Sequence, residues 1–79
     1  DAALPRISIT DLENRFAGLR QGLSTREVEV CARAAFGMTV EGTALDLGIG
    51  RASILTYRKR AYGRLAVSSV NELSRLVMS

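Results

Sequence analysis

Helix-start signals recur along the whole chain, and they constrain its fold more than any other feature. Each is a Ser or Thr that can cap the free N–H groups of a helix, and most have a Glu three residues later that completes a reciprocal capping box. The four signals are Thr10 with Glu13, Ser24 with Glu27, Thr39, and Ser69 with Glu72. Apolar residues follow at helical spacing, and Gly22, Gly37 and Gly48 stand where helices would end. The sequence therefore predicts an all-α fold.

The signals and the apolar spacing together predict five helices. After an extended lead-in that contains Pro5, the first is a short amphipathic helix over residues 11–20, with Leu12, Phe16 and Leu19 on one face. The other four are predicted at residues 25–36, 40–47, 51–65 and 70–78. The stripes expected to face the core in the last two helices are Ile54, Tyr57, Ala61 and Leu65, then Val70, Leu73 and Val77.

Length and composition fit one small domain with a single core, since the chain has 79 residues of which 47% are hydrophobic. We expect this domain at residues 23–79. Residues 1–22 are interpreted as a lead-in, a linker from an upstream domain, because the chain starts at Asp1 without Met. The sequence contains no apolar run of membrane-spanning length and no signal segment at its start.

The inventory of reactive side chains argues against an enzyme. The chain has one Cys and no His, so a zinc site or a nucleophile–base pair would be hard to assemble. Cys31 falls on the predicted inner face of the helix at 25–36 and is interpreted as a small buried apolar residue. A lone Cys also indicates a reduced, cytoplasmic setting. We expect no metal and no cofactor.

Charge is distributed unevenly along the chain. Residues 1–48 carry five basic and seven acidic side chains, whereas residues 49–79 carry six basic and one acidic. Five of those six lie in the helix predicted at 51–65: Arg51, Arg58, Lys59, Arg60 and Arg64. Such a run is often only a solvated helix face, but charge of one sign on a single helix also fits a phosphate backbone.

Two consecutive helices have the pattern of a helix-turn-helix. The helices at 40–47 and 51–65 are joined by the short turn Gly48–Gly50, in which Ile49 can plug the core. With Ile54 at the centre of the buried side, five positions of the second helix point outward: Ala52, Leu55, Thr56, Lys59 and Arg60. This is the placement expected of a face that contacts DNA bases.

The outward side chains suit different parts of DNA. Thr56 offers a hydroxyl and a methyl, and Leu55 offers an apolar surface that can meet a thymine methyl. Lys59 and Arg60 can reach bases or phosphates. The first helical turn, with Arg51 and Ser53, is placed to bind a phosphate.

Alternatives stay open for three residues of this helix. Leu55 could contact a neighbouring subunit or simply be exposed. Arg64, near the helix end, could satisfy the helix dipole or pair with a carboxylate instead of touching DNA. Tyr57 is interpreted as a core residue whose hydroxyl reaches a phosphate or the backbone.

Short motifs continue this pattern over about 55 residues without a gap. They are Leu23-Ser-Thr-Arg-Glu-Val-Glu-Val30, Gly37-Met-Thr39, Ala44-Leu-Asp-Leu-Gly-Ile49, Ser53-Ile54, Tyr57, Arg64-Leu65, Val67 and Asn71-Glu-Leu73. In these residues the chain resembles the LuxR-type helix-turn-helix family of bacterial transcription regulators. The resemblance implies a four-helix LuxR C-terminal-like domain, here with an extra short N-terminal helix.

The resemblance also implies roles for individual residues. Members bind DNA with their third helix in the major groove, which would place base contacts at Leu55, Thr56 and Lys59. Phosphate contacts would fall at Thr39, Ser53, Tyr57 and Arg58. Members often dimerise through the fourth helix, for which Leu76 and Met78 are the residues that the core leaves over. The implied partners are double-stranded DNA and a second copy of the chain, with RNA polymerase as a further candidate.

Three positions depart from the family pattern. Gly42-Thr-Ala44 stands where E-I-A is common, which removes an acidic group from the helix start. Gly50 replaces a frequent Ser and gives a weaker helix cap. Leu55 replaces a frequent Lys, which changes the sequence preference to be expected.

The hypothesis from sequence is sequence-specific binding of double-stranded DNA by the output domain of a bacterial transcription regulator. A promoter-recognition domain of a sigma factor shares this helical plan and is the nearest alternative. A helical protein–protein module whose basic face docks on an acidic partner is the alternative of a different class.

Overall fold

The computed structural model describes residues 7–78, and all the regular structure in this range is helical. The five helices are α1 (Ile9–Gly18), α2 (Thr25–Phe36), α3 (Val40–Leu47), α4 (Arg51–Leu65) and α5 (Val70–Met78). The all-α prediction is confirmed, and so are the predicted bounds of the last four helices. Pro5, with most of the expected lead-in, lies outside the described residues.

The start of α1 differs from the prediction. Ser8 is its N-cap: the Ser8 hydroxyl accepts from the Asp11 N–H at 3.0 Å, and the Asp11 carboxylate accepts from the Ser8 N–H at 3.2 Å. The capping box proposed for Thr10 and Glu13 is therefore wrong, because an equivalent box forms two residues earlier. The predicted end at residue 20 is also wrong: α1 ends at Gly18, and Arg20 adopts a φ of 55°, which cannot continue a helix.

The predicted caps of α2 and α3 are confirmed. The Ser24 hydroxyl accepts from the Glu27 N–H at 3.2 Å, and the Glu27 carboxylate accepts from the Ser24 N–H at 2.8 Å. The Thr39 hydroxyl oxygen accepts from the Gly42 N–H at 2.9 Å. Gly48 ends α3 in the left-handed conformation with a φ of 70°, which costs a glycine little.

The start of α5 agrees with the prediction only in part. The Glu72 N–H donates to the Ser69 hydroxyl at 3.2 Å, but the Glu72 carboxylate accepts from the N–H of Ser68, at 2.9 Å, instead of from Ser69. Val70, predicted to face the core, is 37% exposed. That prediction is wrong, because Leu73 and Val77 are the α5 residues that fill the core side.

Two buried clusters hold the helices together. The larger joins α1, α2, α4 and α5 through Leu12, Phe16, Val28, Cys31, Ala32, Ala61, Leu73 and Val77. The smaller joins α2, α3 and α4 through Val30, Ala44 and Ile54, with Ile49 and Tyr57 packed against it. Full burial of a large apolar side chain contributes about 1.5–3 kcal/mol, so these clusters orient the helices. The larger cluster therefore combines residues of α1, which lies before residue 22, with residues of α2, α4 and α5, which follow it.

Arg33 of α2 ties α1 to α3. Its guanidinium donates to the Glu13 carboxylate at 2.8 Å and to the Asp46 carboxylate at 2.6 Å. Burial lowers the pKa of Arg33, but the hydrogen bonds to the two carboxylates outweigh burial, and the pKa is raised above its ordinary value. Arg33 therefore stays charged and holds the short helix α3 against α2, on which α4 also packs.

Candidate nucleic-acid interface

α3, the turn Gly48–Gly50 and α4 form the predicted helix-turn-helix. The N–H groups of Gly48 and Ile49 both donate to the Ala44 carbonyl, at 2.9 and 3.1 Å, which closes the end of α3. Ile49 packs against the smaller cluster, and Ile54 of α4 is buried in it at 1% exposure. These two isoleucines fix which side of α4 faces solvent.

The opposite side of α4 is the outward strip predicted from sequence. All five of its residues are exposed: Ala52, Leu55, Thr56, Lys59 and Arg60. Residues three and four apart are neighbours on a helix, so these side chains form one continuous surface. Leu55 is 48% exposed and adds a large apolar side chain to this surface. The exposure is confirmed, whereas contact with DNA stays a prediction.

Thr56 turns its hydroxyl back onto the helix. Its Oγ1 donates to the carbonyl of Ala52 at 3.0 Å. A hydroxyl has a single hydrogen, so this bond leaves Thr56 without a donor for a ligand. The lone pairs and the methyl group remain.

Arg64, at the end of α4, is held by the loop before α2. Its Nη1 donates to the Gly22 carbonyl at 2.8 Å, and its Nε lies 3.7 Å from the Glu27 carboxylate. The pairing with a carboxylate that the sequence left open is confirmed. Arg64 therefore joins the start of α2 to the end of α4.

Two other arginines of α4 also have partners within the chain. Arg51 forms an ion pair with Glu41 of α3, with Nε and Oε2 3.1 Å apart. Arg58 donates from Nε to the Tyr62 hydroxyl at 3.1 Å, and its guanidinium carbon lies 5.3 Å from the centre of the Tyr62 ring. Arg58 is half-buried as a result.

Lys59 and Arg60 differ from these three arginines. The side chain of neither residue makes an ion pair or a hydrogen bond with any group of residues 7–78. Both are exposed and both lie in the outward strip. The basic side chains of α4 therefore fall into two groups: three arginines that have partners within the chain, and Lys59 and Arg60, which have none among residues 7–78.

The residues expected to contact phosphates lie around the strip. Ser53 is exposed in the first turn of α4, and Thr39 caps α3. Tyr57 is half-buried and, with Arg60, lines a shallow groove between α4 and the first turn of α2. Gly50 caps α4 without a side-chain hydrogen bond, so the first N–H groups of α4 have no side-chain acceptor. The predicted weak cap is confirmed.

The two residues expected at a dimer contact lie on α5. Leu76 is 40% exposed and Met78 is 45% exposed, and Val70 adds to the apolar surface of the same helix. Their availability for a partner agrees with the sequence pattern, and the dimer itself stays a prediction.

Glu41 is the residue near this surface that sequence reasoning missed. It lies in the first turn of α3, and Arg51 lies in the first turn of α4, ten residues later. No helical spacing relates the two, since they belong to different helices. Their pairing follows from the crossing of α3 and α4, which the sequence pattern does not specify.

Other chemistry finds little support in the described part of the chain. Within residues 7–78, no group of three or more His, Cys, Asp or Glu side chains could hold a metal ion. Cys31 is a buried free thiol whose pKa is raised to about 12, chiefly by burial and also by the nearby Glu27 charge, while Arg58 lowers it. Over the same residues, no helix combines the length and apolarity needed to cross a membrane.

Comparison with known protein families identifies a match that covers most of the chain. The model of the family described as bacterial regulatory proteins, luxR family, matches residues 21–77. This segment spans α2 to α5 and includes the whole helix-turn-helix. Neither a curated protein nor a solved structure matches the chain.

Proposed function

Because the chain belongs to the luxR family of bacterial regulatory proteins, we propose that it recognises specific sequences in double-stranded DNA as the output domain of a transcription regulator. The family assignment makes it a helix-turn-helix DNA-binding domain. In such domains the second helix of the motif enters the major groove and its outward side chains contact base edges. Here that helix is α4, and the proposed base contacts are Leu55, Thr56 and Lys59.

The observation that carries this proposal is the division of charge on α4. Lys59 and Arg60 lie in the exposed strip without partners among residues 7–78, whereas Arg64 is tied to Gly22 and Glu27. These unpaired cations lie beside small and apolar residues, and the family assignment favours a DNA-binding face over one that is merely solvated. A DNA groove requires that combination, because cations bind the phosphates and compact side chains allow close approach to the bases.

Phosphate contacts would surround this strip. Ser53 and the first N–H groups of α4, which have no side-chain acceptor, are suited to one phosphate. Arg51 would join them by exchanging Glu41 for a phosphate, since an exposed ion pair is weak. Thr39 would bind the DNA backbone from its position at the start of α3.

Tyr57 and Arg58 would contact phosphates from the edge of α4. Tyr57 lies beside Arg60 in the shallow groove, where its hydroxyl can donate to a phosphate oxygen. Arg58 would have to leave the Tyr62 ring and hydroxyl to do the same, and this makes it the costlier of the two contacts.

We propose a homodimer as the form that binds DNA with useful affinity. One domain of this size buries little surface on DNA, and two copies on a two-fold operator double it. Leu76 and Met78 of α5, both exposed and apolar, are the residues proposed for that contact. The proposed setting is the bacterial cytoplasm, where the DNA lies, with RNA polymerase as the partner through which transcription would respond.

The decisive experiment measures affinity for DNA against salt. A duplex bound by the domain is selected from a random pool, and its dissociation constant is measured by fluorescence anisotropy between about 50 and 200 mM salt. We expect affinity to fall steeply with salt. We also expect Lys59→Ala and Arg60→Ala each to lower the slope of the log–log plot by about one, if each contacts a phosphate.

Arg20→Ala is the matched control, because Arg20 is an exposed cation outside both helices of the motif. It should leave the slope unchanged. Absence of detectable binding to any duplex at about 50 mM salt would contradict the proposed function. If all three substitutions changed the slope equally, Lys59 and Arg60 would contribute no more than a cation outside the motif, and α4 would not be the DNA-binding surface.

A further inference from the structure

The base-contacting part of α4 has an apolar half and a cationic half. Ala52, Leu55 and Thr56 occupy the first two turns, and Lys59 and Arg60 follow one turn later. All five side chains are exposed, so the division concerns the surface that DNA would meet and not the packing of the core. We call the first three residues the apolar patch.

The patch offers DNA no hydrogen-bond donor from its side chains. Ala52 and Leu55 are hydrocarbon, and the single hydroxyl hydrogen of Thr56 is bound to the Ala52 carbonyl at 3.0 Å. The Thr56 methyl occupies a different staggered position on the same Cβ and is left for contact. This hydrogen bond occupies the hydroxyl donor, so Thr56 offers DNA its methyl group and its lone pairs.

The C5 methyl of thymine is the group on the floor of the major groove that best matches the hydrocarbon of Ala52 and Leu55. Thymine presents its C5 methyl there, whereas guanine presents two acceptors and adenine and cytosine present an amino group. A guanine opposite Leu55 would lose water from its acceptors and gain no donor, which is unfavourable. The patch therefore attracts thymine and also discriminates against guanine.

We propose that the apolar patch recognises thymine through its C5 methyl group, with Leu55 as the main specificity-determining residue. The inference rests on the proposed DNA-binding function and specifies its substrate: each half of the operator carries a thymine opposite Leu55. Lys59 and Arg60 supply affinity through phosphates or purine acceptors and do not sense the methyl.

The test removes single methyl groups from the DNA. In the selected duplex, each thymine is replaced in turn by deoxyuridine, which keeps every base-pairing atom and lacks only the C5 methyl. We expect affinity to fall about three- to fivefold at the thymine opposite Leu55, as for the loss of one buried methyl group. The other thymines should tolerate the change, apart from a neighbour in contact with Thr56.

Protein variants assign the effect to the patch. With Leu55→Ala, the thymine and deoxyuridine duplexes should be bound equally at that position. Thr56→Ser keeps the hydroxyl and removes the methyl, so it should act only on the neighbouring thymine. Lys59→Ala should weaken binding to both duplexes by the same factor. Leu55 is exposed, so the urea midpoint of Leu55→Ala should match that of the unmodified domain, which excludes misfolding as the cause.

Three results would overturn the inference, and they are distinguishable from one another. Tight binding with every thymine replaceable by deoxyuridine would overturn methyl recognition and leave DNA binding intact. If Leu55→Ala still preferred thymine to deoxyuridine at that position, Leu55 would not be the residue that recognises the methyl, and DNA binding would again be left intact. Absence of binding to any duplex would instead overturn the inference together with the proposed function.

Discussion

Arg51 of α4 and Glu41 of α3 form an ion pair of 3.1 Å across the two helices of the motif, with side chains that are 61% and 62% exposed. Such exposed pairs contribute only about 0–1 kcal/mol, so this one does little to hold the helices together. It nevertheless places a carboxylate at the proposed phosphate contact of Arg51. DNA binding would have to break this pair.

Replacing Glu41 with Gln should therefore increase affinity for DNA. The change frees Arg51 and removes a negative charge that repels phosphate, and we expect about a two- to fivefold gain at 50 mM salt that shrinks as salt rises. Glu29→Gln is the control, because it breaks the partly buried pair with Arg26 on α2 by the same charge change. If Glu41→Gln left the affinity for DNA unchanged, Arg51 would not be a DNA contact.

Arg64 and Arg60 should separate stability from DNA binding, although they lie one turn apart on α4. Arg64→Ala loses the bond to the Gly22 carbonyl and leaves the buried Glu27 carboxylate with one contact fewer, so the free energy of unfolding should fall by about 1 kcal/mol. Arg60→Ala should leave the urea midpoint unchanged and weaken DNA binding. A lower salt slope in Arg64→Ala would show that Arg64 contacts DNA after all.

Phe16 should be essential to stability although it lies outside the helix-turn-helix. It is 1% exposed in the larger cluster, where it contributes the largest buried side chain. Phe16→Ala should lower the free energy of unfolding by about 3–5 kcal/mol, measured by urea denaturation. Asn14→Ala, on the exposed side of α1, should change it by less than about 0.5 kcal/mol. A small effect of Phe16→Ala would mean that α1 does not stabilise the domain.

Cys31 should resist thiol reagents in the folded domain. Burial raises its pKa from 9.0 to about 12, so the reactive thiolate is scarce at pH 8 and the sulfur is covered. Labelling by a coloured disulfide reagent should proceed only as fast as the domain unfolds, and urea should accelerate it. Rapid labelling of the native domain would contradict the burial.

The same thiol should make stability depend on alkaline pH. Its pKa is higher in the folded state than in the unfolded state, so its contribution is complete below pH 9 and is lost as pH rises towards 12. Between pH 8 and about 10.5, the unmodified domain should lose more stability than Cys31→Ala does. Equal losses would mean that the thiol ionises alike in both states.

Local chemistry explains why most helix ends could be predicted from sequence. Ser24 with Glu27, Thr39 and Gly48 act through groups three or four residues away, so the pattern contains both partners of each contact. α1 shows the limit of this reasoning, because Ser8 and Asp11 offered an equivalent box and neighbouring signals compete. Glu13 was then available for Arg33, a partner twenty residues away that no local pattern indicates.

The sequence by itself determined that α4 is the basic second helix of a helix-turn-helix and that Leu55, Thr56, Lys59 and Arg60 point outward, because helical periodicity fixes the face once Ile54 is buried. Only the tertiary structure decided what each charge and hydroxyl does there. Arg64 meets Gly22 and Arg51 meets Glu41 because separate helices cross, and these contacts leave Lys59 and Arg60 to face a ligand. The basic helix is therefore four arginines and a lysine in sequence, but two available cations beside an apolar patch in the folded protein.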